Sequence, residues 1–289
     1  MTYRMLLDTY SLMYRAFFAL PASICDPEGR PVNAVHGYLD MTTRLISTYH
    51  PERLVHVFDD SIRPAERVQA YPGYKANRAS DPEALPPQFL LLEQALDALG
   101  MDRAVAPGWE ADDAIATLCS QAQWGERLDV VTGDRDLLAL VRDADPTVRV
   151  LFTVRGVSDL AIYDEAAVEA KFGVPPDRYF LFAMLRGDPS DGLPGVSGVG
   201  EKTASKLAAA HPSLFSLIEA VDTLPPRLTE RVLAAASYLD AMQRVVPTRT
   251  DVEVAVRSGM LDEGRLVELA KRGLGGPIRR LTQALQESG

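Results

Sequence analysis

The sequence predicts a parallel α/β sheet followed, from about Asp164, by a helical region. Three observations predict it. Apolar runs of strand length occur at Met5-Leu6-Leu7, Leu54-Val55-His56-Val57-Phe58 and Leu128-Asp129-Val130-Val131. Helical patterns of suitable length separate them, and strands alternating with helices are the mark of a parallel sheet. Past residue 163 the pattern becomes helix after helix, separated by Pro175-Pro176, Asp188-Pro189, Pro212-Ser213 and Pro225-Pro226.

Taken in order, the first strand is followed by helical periodicity from Val32 to Tyr49, and the second strand by residues 60 to 85, which have no apolar face. That stretch holds Pro64, Pro72, Gly73 and Pro82 and reads as a mobile excursion over the sheet. Helices are expected over Pro86 to Leu99 and Glu110 to Gln123, with Gly100 and Gly125 as their stops. The expected division is an α/β unit over residues 1–163, excursion included, and a helical unit over residues 164–289. There is no internal repeat, and the segment from Asp251 carries little functional information.

With 289 residues, 47% of them hydrophobic and 24% charged, the chain can bury a full core. No stretch approaches the roughly 18 apolar residues of a membrane span. The start, Met1-Thr2-Tyr3-Arg4-Met5, runs into a strand rather than a cleavable signal. A cytoplasmic protein is expected, without membrane partners and monomeric. Two cysteines, Cys25 and Cys119, exclude a disulfide framework and a Cys-based zinc site. The net charge of −10 argues at first against a polyanionic partner. Distribution outweighs the sum, because Arg63, Arg67, Lys75 and Arg78 face only Glu66 between Ile62 and Ser80, while many acids fall into tight groups. Two divalent ions would remove the repulsion within those groups.

Each of the three strands ends at an aspartate: Asp8, Asp59, and Asp134 with Asp136 beyond Thr132-Gly133. Ligands of open α/β sheets bind outside the carboxyl ends of the strands. One such aspartate alone is most simply a helix cap or turn residue, but three strand ends with the same residue make coincidence a poor account. Glu110-Ala111-Asp112-Asp113 opens a helix, where the macrodipole favours acids, yet three acids in four residues exceed what capping needs. Glu110 and Asp113 share a face. Asp188 and Asp191 repeat the spacing in a polar loop. Oxygen ligands without Cys and with little His select Mg²⁺ or Mn²⁺, and two such ions suit phosphodiester hydrolysis.

Leu193 to Ala204 holds Gly195, Gly198 and Gly200 in the order G-x-x-G-x-G, with no strand before it, so the dinucleotide fingerprint is not met. The glycines permit a tight hairpin with outward backbone amides, and the helix that follows offers an anion site at its start. Lys202, Thr203 and Lys206 are then placed to grip a phosphate backbone. In Tyr71-Pro72-Gly73-Tyr74-Lys75-Ala76-Asn77-Arg78 an aromatic such as Tyr74 can stack a base or pack the excursion. Such a basic run is usually a solvated face, but following Asp59 so closely, Lys75 and Arg78 are placed to stabilise charge on a scissile phosphate.

The order of motifs resembles the bacterial 5′ nuclease family, that is, the 5′ to 3′ exonuclease domain of DNA polymerase I and stand-alone flap endonucleases. The likeness runs from Leu6 to Leu207, with a looser match beyond. It rests on Leu7-Asp8, Val57-Phe58-Asp59, Tyr71 to Arg78, Glu110 to Asp113, Thr132-Gly133-Asp134-Arg135-Asp136-Leu137, and Gly187 to Asp191 leading into the hairpin. The resemblance implies a PIN-like α/β nuclease domain with a helical arch over 60–85, then a helix-three-turn-helix over 187–211 that binds duplex DNA. It implies two or more Mg²⁺ or Mn²⁺ ions held by Asp8, Asp59, Glu110, Asp112, Asp113, Asp134, Asp136, Asp188 and Asp191. It also implies a potassium ion at hairpin carbonyls, here between Val196 and Gly200, with Val199 among them. Lys75, Arg78, Asp112 and Asp134 are the catalytic residues it implies, and Arg67, Tyr74, Lys75 and Arg78 the arch contacts to a 5′ strand. DNA with a 5′ flap or 5′ end, or an RNA–DNA hybrid, is the implied partner, met at the nucleoid. Gly192 stands where the family usually has Asn, Arg135 replaces the usual Lys, and Asp60 adds an acid. Nothing resembling a polymerase follows, so a stand-alone nuclease is expected.

Two other readings share the architecture. A PIN-type ribonuclease is usually smaller and lacks the glycine hairpin, and a catalytically silent junction binder would have lost several acids. A phosphatase beginning at Leu7-Asp8-Thr9 lacks its second aspartate, since Tyr10 stands there.

Overall fold

In the computed structural model, which describes residues 2–154 and 156–288, the seven strands are β1 (Thr2–Asp8), β2 (Arg53–Phe58), β3 (Asp102–Val105), β4 (Glu126–Thr132), β5 (Thr147–Thr153), β6 (Leu160–Tyr163) and β7 (Ala255–Ser258). They form one sheet in the order β6-β5-β4-β1-β2-β3-β7. The five inner strands are parallel, and β6 and β7 close the two edges antiparallel. Met1 and Gly289, the expected outer limits of the two units, lie outside the described residues.

β1 is the pivot. Met5, Leu6 and Leu7 are all fully buried because both faces of a central parallel strand are covered. Alternation divides them: Leu6 joins Val55, Val57 and Val130 in one core, while Met5 and Leu7 join Leu54 and Val131 in the other. The helices of the α/β part are α1 (Thr9–Ala19), α2 (Asn33–Tyr49), α3 (Ala65–Ala70), α4 (Pro86–Ala98) and α5 (Ala111–Ser120). Residues of α1, α2 and α4 cover the second core and those of α5 the first. From β1 the chain reaches β2 on one side and β4 on the other, so the carboxyl end of β1 is the switch point where a doubly wound sheet opens a crevice.

The later helices are α6 (Glu165–Phe172), α7 (Tyr179–Arg186), α8 (Glu201–Ala210), α9 (Leu214–Glu219), α10 (Pro226–Ala234), α11 (Ala236–Val245), α12 (Glu263–Leu269) and α13 (Gly275–Ser288). This run is helical as expected, with one exception: after α11 the chain returns to the sheet, and β7 pairs Ala255 with Val105 and Ser258 with Asp102. Behind it α13 lies against α2, where Arg280 grips Asp40 and Gly273 O meets His36 Nε2 at 2.7 Å. The excursion between β2 and α4 contains only the short α3, then turns through residues 71–78.

Candidate active site at the carboxyl edge of the sheet

Register brings the strand-end acids together. Asp8 pairs with Val57, one residue short of the end of β2, and Leu7 pairs with Val131, so Asp8, Asp59 and Asp134 emerge side by side. Asp8 also caps α1, accepting the Ser11 amide, while its other oxygen accepts the Thr132 hydroxyl at 2.6 Å. The same hydroxyl accepts the Asp134 amide at 2.9 Å, so one threonine orients the Asp8 carboxylate and fixes the backbone of Asp134. Asp59 is fixed by the Ala111 amide at 2.9 Å, which ties it to the start of α5. A cavity of about 270 Å³ opens here, lined by Asp8, Asp59, Glu110, Asp112 and Asp134, with Lys75 and Arg78 on the facing side. A larger and mostly apolar cleft, about 790 Å³, lies between α1 and α2, and Arg15 borders both.

Sequence reasoning passed over Thr132, Ser11 and Arg15. Thr132 ends β4 two residues before Asp134, and Ser11 and Arg15 follow Asp8 at helical spacing, so all three were detectable from α1 and the strand end. Ser11 Oγ accepts the Gly133 amide at 3.0 Å. The Arg15 guanidinium lies where a Cβ on residue 133 would stand, so a side chain there would push it away.

Asp113, expected as a metal ligand, and Arg67, expected to contact a 5′ strand, pair with each other in the interior. Asp113 is fully buried, and its oxygens take two hydrogen bonds from Arg67, each 2.7 Å, and one from the Arg249 amide. Asp113 is thus held by Arg67 and by the Glu110 and Arg249 amides, and it does not line the acid cavity. Arg67, expected to contact a 5′ strand, is only 3% exposed; it binds Asp113, Glu110, Val245 O and Pro247 O. Burial alone would lower its pKa, but the hydrogen bonds and charge of Asp113 and then the charge of Glu110 raise it well above the usual value. Tyr74 is 4% exposed and donates to Glu110 at 2.7 Å; it packs the arch and offers no face to a base.

Lys75 is held differently. Its φ of 49° is a left-handed conformation that a side-chain-bearing residue adopts only when its surroundings enforce it. Its amide donates to Asp191 O at 2.8 Å, and its ammonium pairs with Glu110 and stands 3.7 Å from Asp191 Oδ2. Burial would lower its pKa, but the charge of Glu110, with Tyr74, Asp191 and Asp112 adding to it, raises it well above the usual value. The Asp188 to Asp191 loop therefore buttresses the arch. Gly192, in place of the usual Asn, has a φ of 73°, and a Cβ there would stand 2.6 Å from Gly73 O. Glycine is what this close approach requires.

Burial, then the charge of Asp59, raises Asp8 to about 7. Burial also raises Asp59 and Asp191 to about 6, with Glu110 adding to the first and Asp134 to the second. Asp112 is raised by burial, then Asp134 and Asp8; Asp136 is raised by burial, then Asp134, Asp191 and Asp188. Two groups thus meet at Asp134, one toward Asp8, Asp59, Glu110 and Asp112, the other toward Asp136, Asp188 and Asp191. Among the described residues no three of these side chains converge on one point at ligand distance. The donor set is all hard oxygen, crowded with like charge, and it fits hard divalent cations.

Beyond this loop the hairpin leads into α8, for which Gly200 is the N-cap. Gly195 and Gly198 have φ of 70° and 71°. The Gly195 amide, expected to face outward, donates inward to the Tyr238 hydroxyl at 3.0 Å. Gly198 O accepts from Arg231 at 2.8 Å, and Val196 O from the Val199 amide. Lys202 and Lys206 are exposed one turn apart, with Thr203 half-buried beside them.

An acid-lined crevice at the switch point of a parallel sheet, bridged by a cationic arch and followed by a glycine hairpin, defines a class of α/β nucleases. The family model described as 5′-3′ exonuclease, N-terminal resolvase-like domain, matches residues 3–173, and that of the 5′-3′ exonuclease C-terminal SAM fold matches residues 174–265. The chain belongs to the 5′-3′ exonuclease family and is a nuclease. It is 45% identical to the 5′-3′ exonuclease of Streptomyces coelicolor over 97% of this chain and 99% of that one. It is 44% identical to DNA polymerase I of Mycobacterium bovis over 87% of this chain but only 28% of the polymerase. In fold it is similar to the T5 D15 protein co-crystallized with metal ions (TM-score 0.67, 17% identity, 99% of this chain and 100% of that one). It is likewise similar to flap endonuclease-1 of Methanococcus jannaschii (TM-score 0.60, 16% identity, 99% of this chain and 93% of that one). No described helix is long and apolar enough to cross a membrane.

Proposed function

We propose that this chain is a divalent-metal-dependent 5′-3′ exonuclease and flap endonuclease that hydrolyses phosphodiester bonds at 5′ ends and 5′-flap junctions of DNA. It would act as a monomer in replication and repair, at the nucleoid of the cytoplasm, and accept RNA primers in hybrid with DNA. One observation carries the reading: five carboxylates from three strand ends and α5 face two cations of the arch across one small cavity.

Mg²⁺ or Mn²⁺ would be held by Asp8, Asp59, Glu110, Asp112 and Asp134 on one side and by Asp136, Asp188 and Asp191 on the other, supplying positive charge that acidifies water and stabilises the leaving oxygen. Thr132 and the Ala111 amide fix the orientation of Asp8 and Asp59. Lys75 and Arg78 bring charge to the phosphate; Glu110 holds Lys75 until a substrate competes for it. Lys202, Thr203 and Lys206 receive the phosphates of the duplex at the start of α8, with Gly195, Gly198 and Gly200 shaping the approach. A potassium ion at the carbonyls of Val196 and Val199 is the finer part of this proposal.

A labelled 5′-flap duplex incubated with Mg²⁺, with Mn²⁺ and with EDTA tests it. Metal-dependent product near the junction is expected; its absence with both ions would overturn the enzymatic reading.

A further inference from the structure

Helix α1 carries an aromatic ladder that the chemistry above leaves unused. Tyr10 stacks on Tyr14, with centroids 5.1 Å apart and planes 30° apart, and on Phe89 of α4 at 5.2 Å and 16°. The hydroxyls of Tyr10 and Tyr14 converge on a single oxygen, donating to Asp81 Oδ1 at 2.6 and 2.7 Å. Asp81 lies on the returning limb of the arch. Three residues earlier the Arg78 guanidinium sits over the Tyr10 ring, 5.4 Å from its centroid, and lines the acid cavity.

We propose that Asp81 is a positioning residue for the nuclease reaction: by clasping Tyr10 and Tyr14 it pins the returning limb of the arch to α1 and sets Arg78 at the mouth of the acid cavity. The inference rests on the reading that Arg78 bears on the scissile phosphate.

Three physical arguments support it. Among the described residues Arg78 forms no ion pair, so its long side chain is oriented by the Tyr10 face and by where its backbone is held. Both clasp bonds fall in the short range of charge-assisted O–H to carboxylate contacts. A phenol that donates to a carboxylate gains electron density in its ring, and the ring then attracts a cation more strongly. Asp81 thus acts on Arg78 twice, through the backbone limb it pins and through the ring it polarises. Tyr14 and Phe89 complete the stack that stops Tyr10 from turning away.

The test is single-turnover cleavage of a labelled 5′-flap duplex in Mg²⁺, with duplex dissociation constants measured alongside. Asp81→Ala should slow cleavage roughly 10-fold, since small misplacement of a charge costs rate steeply, and should leave the dissociation constant within about twofold. Asp81→Asn, which keeps an acceptor oxygen, should recover most of the rate, and Tyr10→Phe should fall between. The decisive arm is Asp81→Ala in an Arg78→Ala background, where it should slow cleavage no further. An equal loss in both backgrounds, or an unchanged rate for Asp81→Ala while Arg78→Ala is slow, overturns the clasp. Arg78→Ala cleaving at the full rate instead overturns the reading on which it rests.

Discussion

Replacing Arg67 by alanine separates an anchor of the arch from a contact to DNA. The guanidinium and its two partners are almost wholly buried, with side-chain exposures of 4% for Arg67, 4% for Glu110 and 0% for Asp113. Truncation leaves Asp113 with only amide donors, and Glu110 with Tyr74 and Lys75. Breaking a buried pair by removing one partner costs about 3–5 kcal/mol, because the other charge stays buried without compensation. It also frees Val245 O and Pro247 O, the points where the arch meets the end of α11. For a chain of 289 residues, an unfolding entropy of about 2.1 cal/mol/K per residue converts that loss into a Tm lowered by roughly 5–8 °C. Calorimetry of Arg67→Ala and Arg67→Lys beside the exposed control Arg265→Ala measures it. The lysine variant should recover part of the loss, since it keeps the charge but not the two-pronged grip. A Tm within about 2 °C of the parent, together with weaker binding of single-stranded 5′ ends, would refute the anchor and restore the strand contact.

Three further outcomes are expected. Lys75→Ala should lower kcat on a 5′ flap by about 100-fold or more, in the range seen when a single charge-stabilising donor is removed, while duplex affinity changes little; a loss confined to affinity would make Lys75 a docking residue. The metal-free protein should lose stability as pH rises from about 5 to 8. Asp8 and Asp59 have folded pKa values raised to about 7 and about 6, so the folded state holds extra protons that it must release through that window. Added Mg²⁺ should therefore raise Tm more at pH 8 than at pH 5.5, and an equal rise at both would argue against metal at these carboxylates. Gly198→Ala meets the Arg231 guanidinium and a φ of 71°, so it should weaken duplex binding severalfold with metal affinity unchanged; an unaltered dissociation constant removes the hairpin from the interface.

The central strands β4, β1 and β2 and the position of the acids were legible because both depend on short-range pattern, whereas the inner strands β3 and β5 went unread. An apolar run closed by Asp says where a strand ends, and parallel pairing then brings those ends together. The edge strands were not legible. β7 is mostly exposed along its four residues and is a strand only because Asp102 to Val105, far away in sequence, pair with it. The roles within Glu110 to Asp113 were half legible. Spacing correctly put Glu110 and Asp113 on one face, but no local signal tells which way that face turns. Both bind Arg67, and the amide of Arg249 donates to Asp113, while Glu110 and Asp112 line the cavity. Tyr74 shows the same limit: an aromatic beside basic residues can stack a base or pack the excursion, and its burial with its hydroxyl on Glu110 favours packing.

One loop joins the two halves of the site, and this constrains how they work together. Asp188 and Asp191 add their charge to the acids around Asp136, Asp191 O holds the Lys75 amide, Gly192 lies against Gly73, and the glycine hairpin follows within a few residues. Leu193 and Asp188 exchange backbone hydrogen bonds at 2.8 Å, and Gly195 is tied to Tyr238, so the loop is stiff from the acids to the hairpin. A duplex that shifts the hairpin must therefore move the Lys75 backbone or be resisted by it. The left-handed conformation of Lys75 is kept by the bond to Asp191, and strain held in this way is released when its support moves. The same few residues that place the second group of acids thus set the stance of the arch cation and, on the proposed role of the hairpin, the path by which duplex docking would reach it.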